Sequence, residues 1–221
     1  YAGEFAVGFS VQECNWNMNL AGLEDVGINT LCQDDAGTAV SQTEIKIFLL
    51  KFRAASCITN KEHIMDITLK SGEVSAKIVS KGAELKSLTV GKRELMWSAD
   101  PAFWGKTSPL LFPMIGTLKD GKTTINGKEY KITKHGFARD LEFTPEDFNG
   151  SSAMFSLTQN DYTKAMYPFD FKFTVRYTLK ADGITVTYRV RNDSDAEMPF
   201  CIGAHPAFAT PGDMNGYRLQ F

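Results

Sequence analysis

The 221-residue chain predicts an all-β fold, an antiparallel sandwich or barrel, on three observations from residue 65 onward. Apolar and polar residues alternate with a period of two. Turn-forming pairs recur between the alternating runs. Helical patterning is nearly absent: Asp161 to Met166 reads as one turn, stopped by Tyr167-Pro168.

Met65 opens the first strand pattern, Asp66-Ile67-Thr68-Leu69, and Ser71-Gly72 breaks it. Val74, Ala76 and Ile78 then alternate with polar neighbours, as a half-buried strand requires. Leu85 to Val90 continues the pattern, and Gly91-Lys92 reads as a turn before Glu94-Leu95-Met96-Trp97. Thr123-Thr124-Ile125 and Lys128-Glu129-Tyr130 flank Asn126-Gly127. Asn-Gly tolerates positive φ at both central positions of a type I′ turn, so it marks a hairpin. The clearest hairpin follows. Phe171, Phe173, Val175, Tyr177 and Leu179 alternate with Lys172, Thr174, Arg176, Thr178 and Lys180; after Asp182-Gly183, Ile184, Val186, Tyr188 and Val190 do the same. Burying those apolar side chains contributes ~1.5–3 kcal/mol each before entropy is subtracted.

Composition narrows the function classes. Hydrophobic residues are 43% and charged residues 23%, the balance of a globular protein. The net charge of -2 offers no global basic field for nucleic acid or anionic lipid. No apolar run approaches the ~20 residues of a membrane span. The expectation is therefore no nucleic-acid and no membrane partner. Four cysteines are too few for a disulfide scaffold, and only Cys201 lies after residue 65, which fits a reducing cytoplasm. Cys201 is expected as a small buried core residue.

The averages conceal a break near Met65. Residues 1–64 hold no proline, three of the four cysteines, and four Lys/Arg against eight Asp/Glu. The remainder holds all eight prolines and 20 Lys/Arg against 18 Asp/Glu. This predicts two segments, 1–64 and 65–221, of different origin. In the first, turn formers scatter without clear strands, and Ile45 to Phe52 is its one strongly apolar stretch, strand or helix. Lys51 and Arg53 interrupt the apolar run before Ala54-Ala55-Ser56-Cys57, which argues against a signal. Met65 is expected as the natural start, with residues 1–64 as translated upstream DNA or a foreign fusion; a genuine extension is the alternative. His63 reads as a solvated surface residue.

Two histidines remain, each in a distinctive setting. His135 opens His135-Gly136-Phe137-Ala138-Arg139-Asp140, where glycine beside the imidazole permits close approach of a ligand or backbone. His205 lies in Gly203-Ala204-His205-Pro206-Ala207-Phe208, after the run Met198-Pro199-Phe200-Cys201-Ile202. Imidazole titrates near neutrality and serves as general acid or base. The competing reading is a histidine that anchors a loop to backbone. Two histidines without a third ligand make no metal site, so none is expected. Gly-rich phosphate loops, Cys-x-x-Cys pairs and Gly-x-Ser-x-Gly are absent.

At these motifs the sequence resembles the aldose 1-epimerase (galactose mutarotase-like) family, and most closely its LacX-like branch. The matching text is Trp104-Gly105-Lys106-Thr107-Ser108-Pro109-Leu110-Leu111-Phe112-Pro113-Met114-Ile115-Gly116, the His135 motif, Tyr167-Pro168-Phe169 and the His205 motif, in order. The resemblance does not reach residues 1–64. It implies a large antiparallel β-sandwich (a supersandwich) whose concave face binds an aldohexose, and interconversion of α and β anomers without metal or organic cofactor. It implies that His205 protonates the ring oxygen, that His135 binds and polarises sugar oxygens, and that a glutamate near the family's C-terminus is the base. Arg139 is a further sugar-binding candidate. Trp104, Phe112 or Phe208 offers an apolar surface for a sugar face, with plain core packing as the competing role.

Two departures from the family pattern stand out. Where galactose mutarotases carry an arginine after the Pro-rich motif, this chain has Thr117, and Lys119 shares its face if the strand is extended. Thr117 and Lys119 are therefore sugar-binding candidates, Lys119 supplying the missing charge, with a solvated surface lysine as the competing reading. The last glutamate is Glu197, ahead of the His205 motif. The sandwich is therefore expected to be incomplete at its C-terminus, lacking the base, and the chain inactive. A non-catalytic carbohydrate-binding sandwich is the alternative. A hexose-phosphate mutarotase ranks lower, since Arg139 is the one arginine in the matching motifs.

Overall fold

The computed structural model describes residues 11–19, 26–33, 65–210, 212, 214–217 and 219–220. In chain order, β1 (Val11–Asn19) and β2 (Val26–Gln33) are followed by β3 (Asp66–Ser71), β4 (Val74–Val79), β5 (Glu84–Val90) and the short β6 (Arg93–Glu94). Then come β7 (Leu110–Leu111), β8 (Lys122–Ile125), β9 (Lys128–Lys131), β10 (Thr144–Phe148) and β11 (Ser152–Thr158). The helix α1 (Asp161–Met166) precedes β12 (Phe171–Lys180), β13 (Gly183–Asn192), β14 (Gly203–Ala204) and β15 (Leu219–Gln220).

Two sheets make the sandwich. One is β3-β4-β5-β6, antiparallel throughout; the other runs β10-β11-β12-β13-β1-β2-β15. β12 packs across β3 and β4, so the apolar faces meet. Ile67, Leu69, Ile78, Leu85 and Leu88 from the first sheet join Phe155, Phe173, Val175, Tyr177 and Val186 from the second in one buried cluster. All nine apolar side chains of the β12–β13 hairpin are buried, and their polar alternates face outward. The all-β antiparallel sandwich is thus the observed fold.

Several local features follow the sequence closely. Asn126 and Gly127 both have positive φ (50° and 77°) between β8 and β9, as a type I′ turn demands. The α1 turn starts where Asn160 and Thr163 form a reciprocal capping box and ends at Tyr167.

Other features depart from it. β12 and β13 close with Lys180 opposite Gly183, so the turn is Ala181-Asp182 and the glycine already belongs to the strand. β10 and β11 carry weak alternation, with Ser152 and Ser156 buried beside Ala153, Phe155 and Leu157. Their strand form comes from pairing with β12. In the N-terminal segment, expected without clear strands, backbone strands run over 11–19 and 26–33. They form by addition: β1 pairs antiparallel with β13 from Val11↔Arg191 to Asn19↔Gly183. Strand pairing needs only an unfilled row of backbone donors and acceptors, not an alternating sequence. Ile45 to Phe52 and His63 lie outside the described residues. Cys201 is exposed rather than core: residues 198–202 form no strand, and its N–H bonds Pro113 O (2.9 Å), which orders the backbone while the side chain meets solvent. No helix among the described residues is long and apolar enough to cross a membrane.

Candidate functional site

The segment 107–116 is the spine of the site. On one side it pairs with the His205 motif: Gly203 lies opposite Leu111 and Ala204 opposite Leu110 in the β7–β14 ladder. The His205 N–H then donates to Pro109 O (3.2 Å), and the Ala207 N–H to Thr107 O (2.9 Å). On the other side it meets the His135 motif: the Phe137 and Ala138 N–H groups both donate to Phe112 O, at 3.0 and 3.2 Å. A Cβ on Gly136 would lie 2.1 Å from that carbonyl oxygen, and Gly136 has φ +72°, so only glycine fits there.

His135 is itself in the left-handed region at φ 67°. A doubled link to Gly116 holds it: the His135 N–H donates to Gly116 O (2.8 Å), and the Gly116 N–H donates to His135 Nδ1 (3.0 Å). An accepting Nδ1 carries no proton, so the neutral ring keeps its hydrogen on Nε2. Burial holds the His135 pKa below the usual imidazole value, and the charges of Arg139, Lys134 and His205 push it the same way.

His205 is exposed and stands against the Trp104 ring, with centroids 5.0 Å apart and planes at 51°. Trp104 is fixed in turn, because its carbonyl accepts the Trp97 indole N–H (2.9 Å). Phe112, also considered as a sugar platform, is fully buried against Phe137, Phe171 and Phe173 and is core. Phe208 packs partly buried on the core cluster and bridges to Met96.

Arg139 sits in a 3-10 turn, Ala138–Asp140, immediately after the His135 motif's glycine and phenylalanine. Its guanidinium donates to Lys134 O (2.9 Å), and its Nε lies 3.4 Å from Asp140. Thr117 and Lys119 are exposed, and neither belongs to a strand: Gly116 turns the chain at φ +77° and Lys119 begins a 3-10 turn. The alternation argument for their shared face therefore does not apply. Two neighbours escape sequence reasoning. Lys134 acts on His135 through charge, and adjacency in the chain was its one signal. Gly116 acts through backbone donation, which residue identity does not advertise.

Among the described residues there is no group of three or more His, Cys, Asp or Glu able to hold a metal ion. A cavity of about 370 Å³ opens elsewhere, on the outer face of β10–β13, and contains neither histidine. Among its cations, Lys172 pairs with Glu146 (2.6 Å), Arg176 with Asp147 (3.2 Å) and Arg191 with Asp193 (2.5 Å).

Residues 65–221 match the family model described as Aldose 1-epimerase. The chain belongs to the aldose 1-epimerase family. Protein LacX of Lactococcus lactis, the plasmid form, is 34% identical over 168 residues, covering 71% of this chain and 56% of LacX. A galactose mutarotase related enzyme from Lactobacillus acidophilus superposes with a TM-score of 0.66 at 38% identity, covering 68% of this chain and 51% of its own. A galactose mutarotase-like protein from Lactobacillus casei gives 0.66 at 36% identity, covering 68% and 52%. The chain spans about half the length of these relatives.

Proposed function

We propose that a full-length aldose 1-epimerase family protein carrying this segment interconverts the α and β anomers of an aldohexose by acid–base ring opening, and that the 221-residue chain, without the base, does not. The observation that carries the reading is that one spine, residues 107–116, anchors both histidine motifs from opposite sides, the His205 motif through its backbone and the His135 motif through backbone and Nδ1. His205, exposed beside Trp104, is the acid that protonates the ring oxygen. His135, neutral with its hydrogen on Nε2, donates to a sugar oxygen and polarises it. Arg139 adds positive charge on the same side, and Thr117 and Lys119 border the spine's end. Once the anomeric hydroxyl loses its proton, the ring opens, the aldehyde rotates about the C1–C2 bond, and closure on the other face gives the second anomer. The resemblance makes the base a glutamate, expected from the part of the family's length that this chain does not span. No cofactor takes part in this scheme.

The Lactobacillus relatives are a galactose mutarotase related enzyme and a galactose mutarotase-like protein, which makes galactose the first sugar to test. Polarimetry of fresh α-galactose, with a full-length family protein carrying this segment, is expected to show turnover that His205→Ala lowers ~10²–10⁴-fold at little cost in sugar affinity. A binding module would show no turnover before the substitution. Robust turnover by the 221-residue chain alone would overturn the placement of the base outside it.

A further inference from the structure

Glu84 is a carboxylate buried in the sandwich, 5% exposed, that the reaction scheme above does not use. Its Oε1 accepts two backbone N–H groups, from Thr107 at 2.6 Å and Ser108 at 3.0 Å, and Lys86 Nζ approaches the same oxygen at 3.4 Å. Thr107 and Ser108 are themselves buried, so no water competes for those donors. The next bonds outward are those of the catalytic loop. Thr107 O holds the Ala207 N–H and Pro109 O holds the His205 N–H, which bracket the His205-Pro206 peptide.

The carboxylate is held as firmly as what it holds. The Gly82 N–H donates to Leu141 O (2.7 Å), and a Cβ at Gly82 would lie 2.7 Å from Arg139 O, so the turn into β5 is closely packed. The buried Tyr177 hydroxyl donates to Ala83 O (2.6 Å), one residue before Glu84. Tyr177 is fully desolvated, which pushes its phenol pKa far up and keeps it a neutral donor. A continuous relay therefore runs from the core of β12, through Ala83 and Glu84, to residues 107–109 and then to His205. Charge-assisted bonds from a carboxylate to peptide N–H groups are about twice as strong as neutral ones. The anchor is thus stiffer than an ordinary loop contact.

We infer that Glu84 is the positioning residue for His205: its buried carboxylate sets the 107–109 backbone, and that backbone sets the imidazole. The functional meaning of this rests on the mutarotase reading, but the coupling itself does not. It is tested by NMR of the 221-residue chain with Glu84→Ala, Glu84→Gln and the control Leu88→Ala. Leu88 is buried in the same strand, and loses only packing on truncation. In Glu84→Ala the His205 ring signals are expected to move, and the His205 and Ala207 amides to exchange about tenfold faster, the equivalent of one lost bond. Glu84→Gln, which keeps an acceptor oxygen, is expected to fall between Glu84→Ala and wild type. It also carries the test should Glu84→Ala not fold. Leu88→Ala is expected to lower stability without moving the His205 ring. Equal effects of Glu84→Ala and Leu88→Ala on that ring overturn the inference; so does a Glu84→Gln variant identical to wild type when Glu84→Ala is unfolded. Failure of the mutarotase reading looks different: added galactose then leaves the wild-type imidazole signals unchanged while the Glu84 coupling persists.

Discussion

His135 combines a rare backbone conformation with a fixed tautomer, and both come from Gly116. Protonating Nδ1 would turn the acceptor of the Gly116 N–H into a competing donor, so the folded state disfavours the imidazolium. The folded pKa is below the unfolded value, which means the unfolded chain binds the proton more readily. His135 therefore contributes stability that is complete above about pH 6.5 and is lost as pH falls through the lower folded value. Urea midpoints measured at about pH 7 and pH 5 should fall more for wild type than for His135→Gln, which has no imidazole to charge. Equal slopes would refute the tautomer assignment. The sequence singled out His135 and His205 because imidazole and its glycine or proline neighbours are visible as letters. Gly116 and Glu84 were not legible as partners, because their roles rest on bonds across 19 and 23 residues to the backbone or the side chain of another element.

At the scale of elements, the β12–β13 hairpin shows what alternation does. One face of β12 fills the core with Phe171, Phe173, Val175, Tyr177 and Leu179, while Lys172, Thr174 and Arg176 lie on the other. Phe173→Ala is expected to cost ~3–5 kcal/mol, because the Phe112, Phe143 and Tyr188 rings around it cannot collapse into the void. Thr174→Ala, one residue along, is expected to stay within about 0.5 kcal/mol. Chemical denaturation of the two variants checks the contrast, and similar losses would contradict the facing of the strand. Period-two patterning made β3, β4, β5, β12 and β13 readable. It failed where burial is two-sided or pairing dominates, as at β11, and where a strand is only two residues long, as at β7 and β14. Those last two matter most for chemistry, since they join the His205 motif to the spine.

Across the whole molecule, the backbone of β1 pairs along the whole length of β13, and β2 pairs in turn with β1. A chain of residues 65–221 is expected to self-associate more than the full chain, because removing β1 bares the β13 edge. Light scattering of the shortened and full chains decides this; equal scattering would mean that the β13 edge is protected by something other than β1. Alternation, turn pairs and four ordered motifs determined the sandwich, its best hairpins and the family, since each is a local pattern that survives in one dimension. Tertiary structure alone decided that Phe112 is core, that Cys201 faces solvent, and that a single spine anchors both histidine motifs. Those outcomes depend on which surface each residue meets once the sheets close, and no spacing along the chain encodes that.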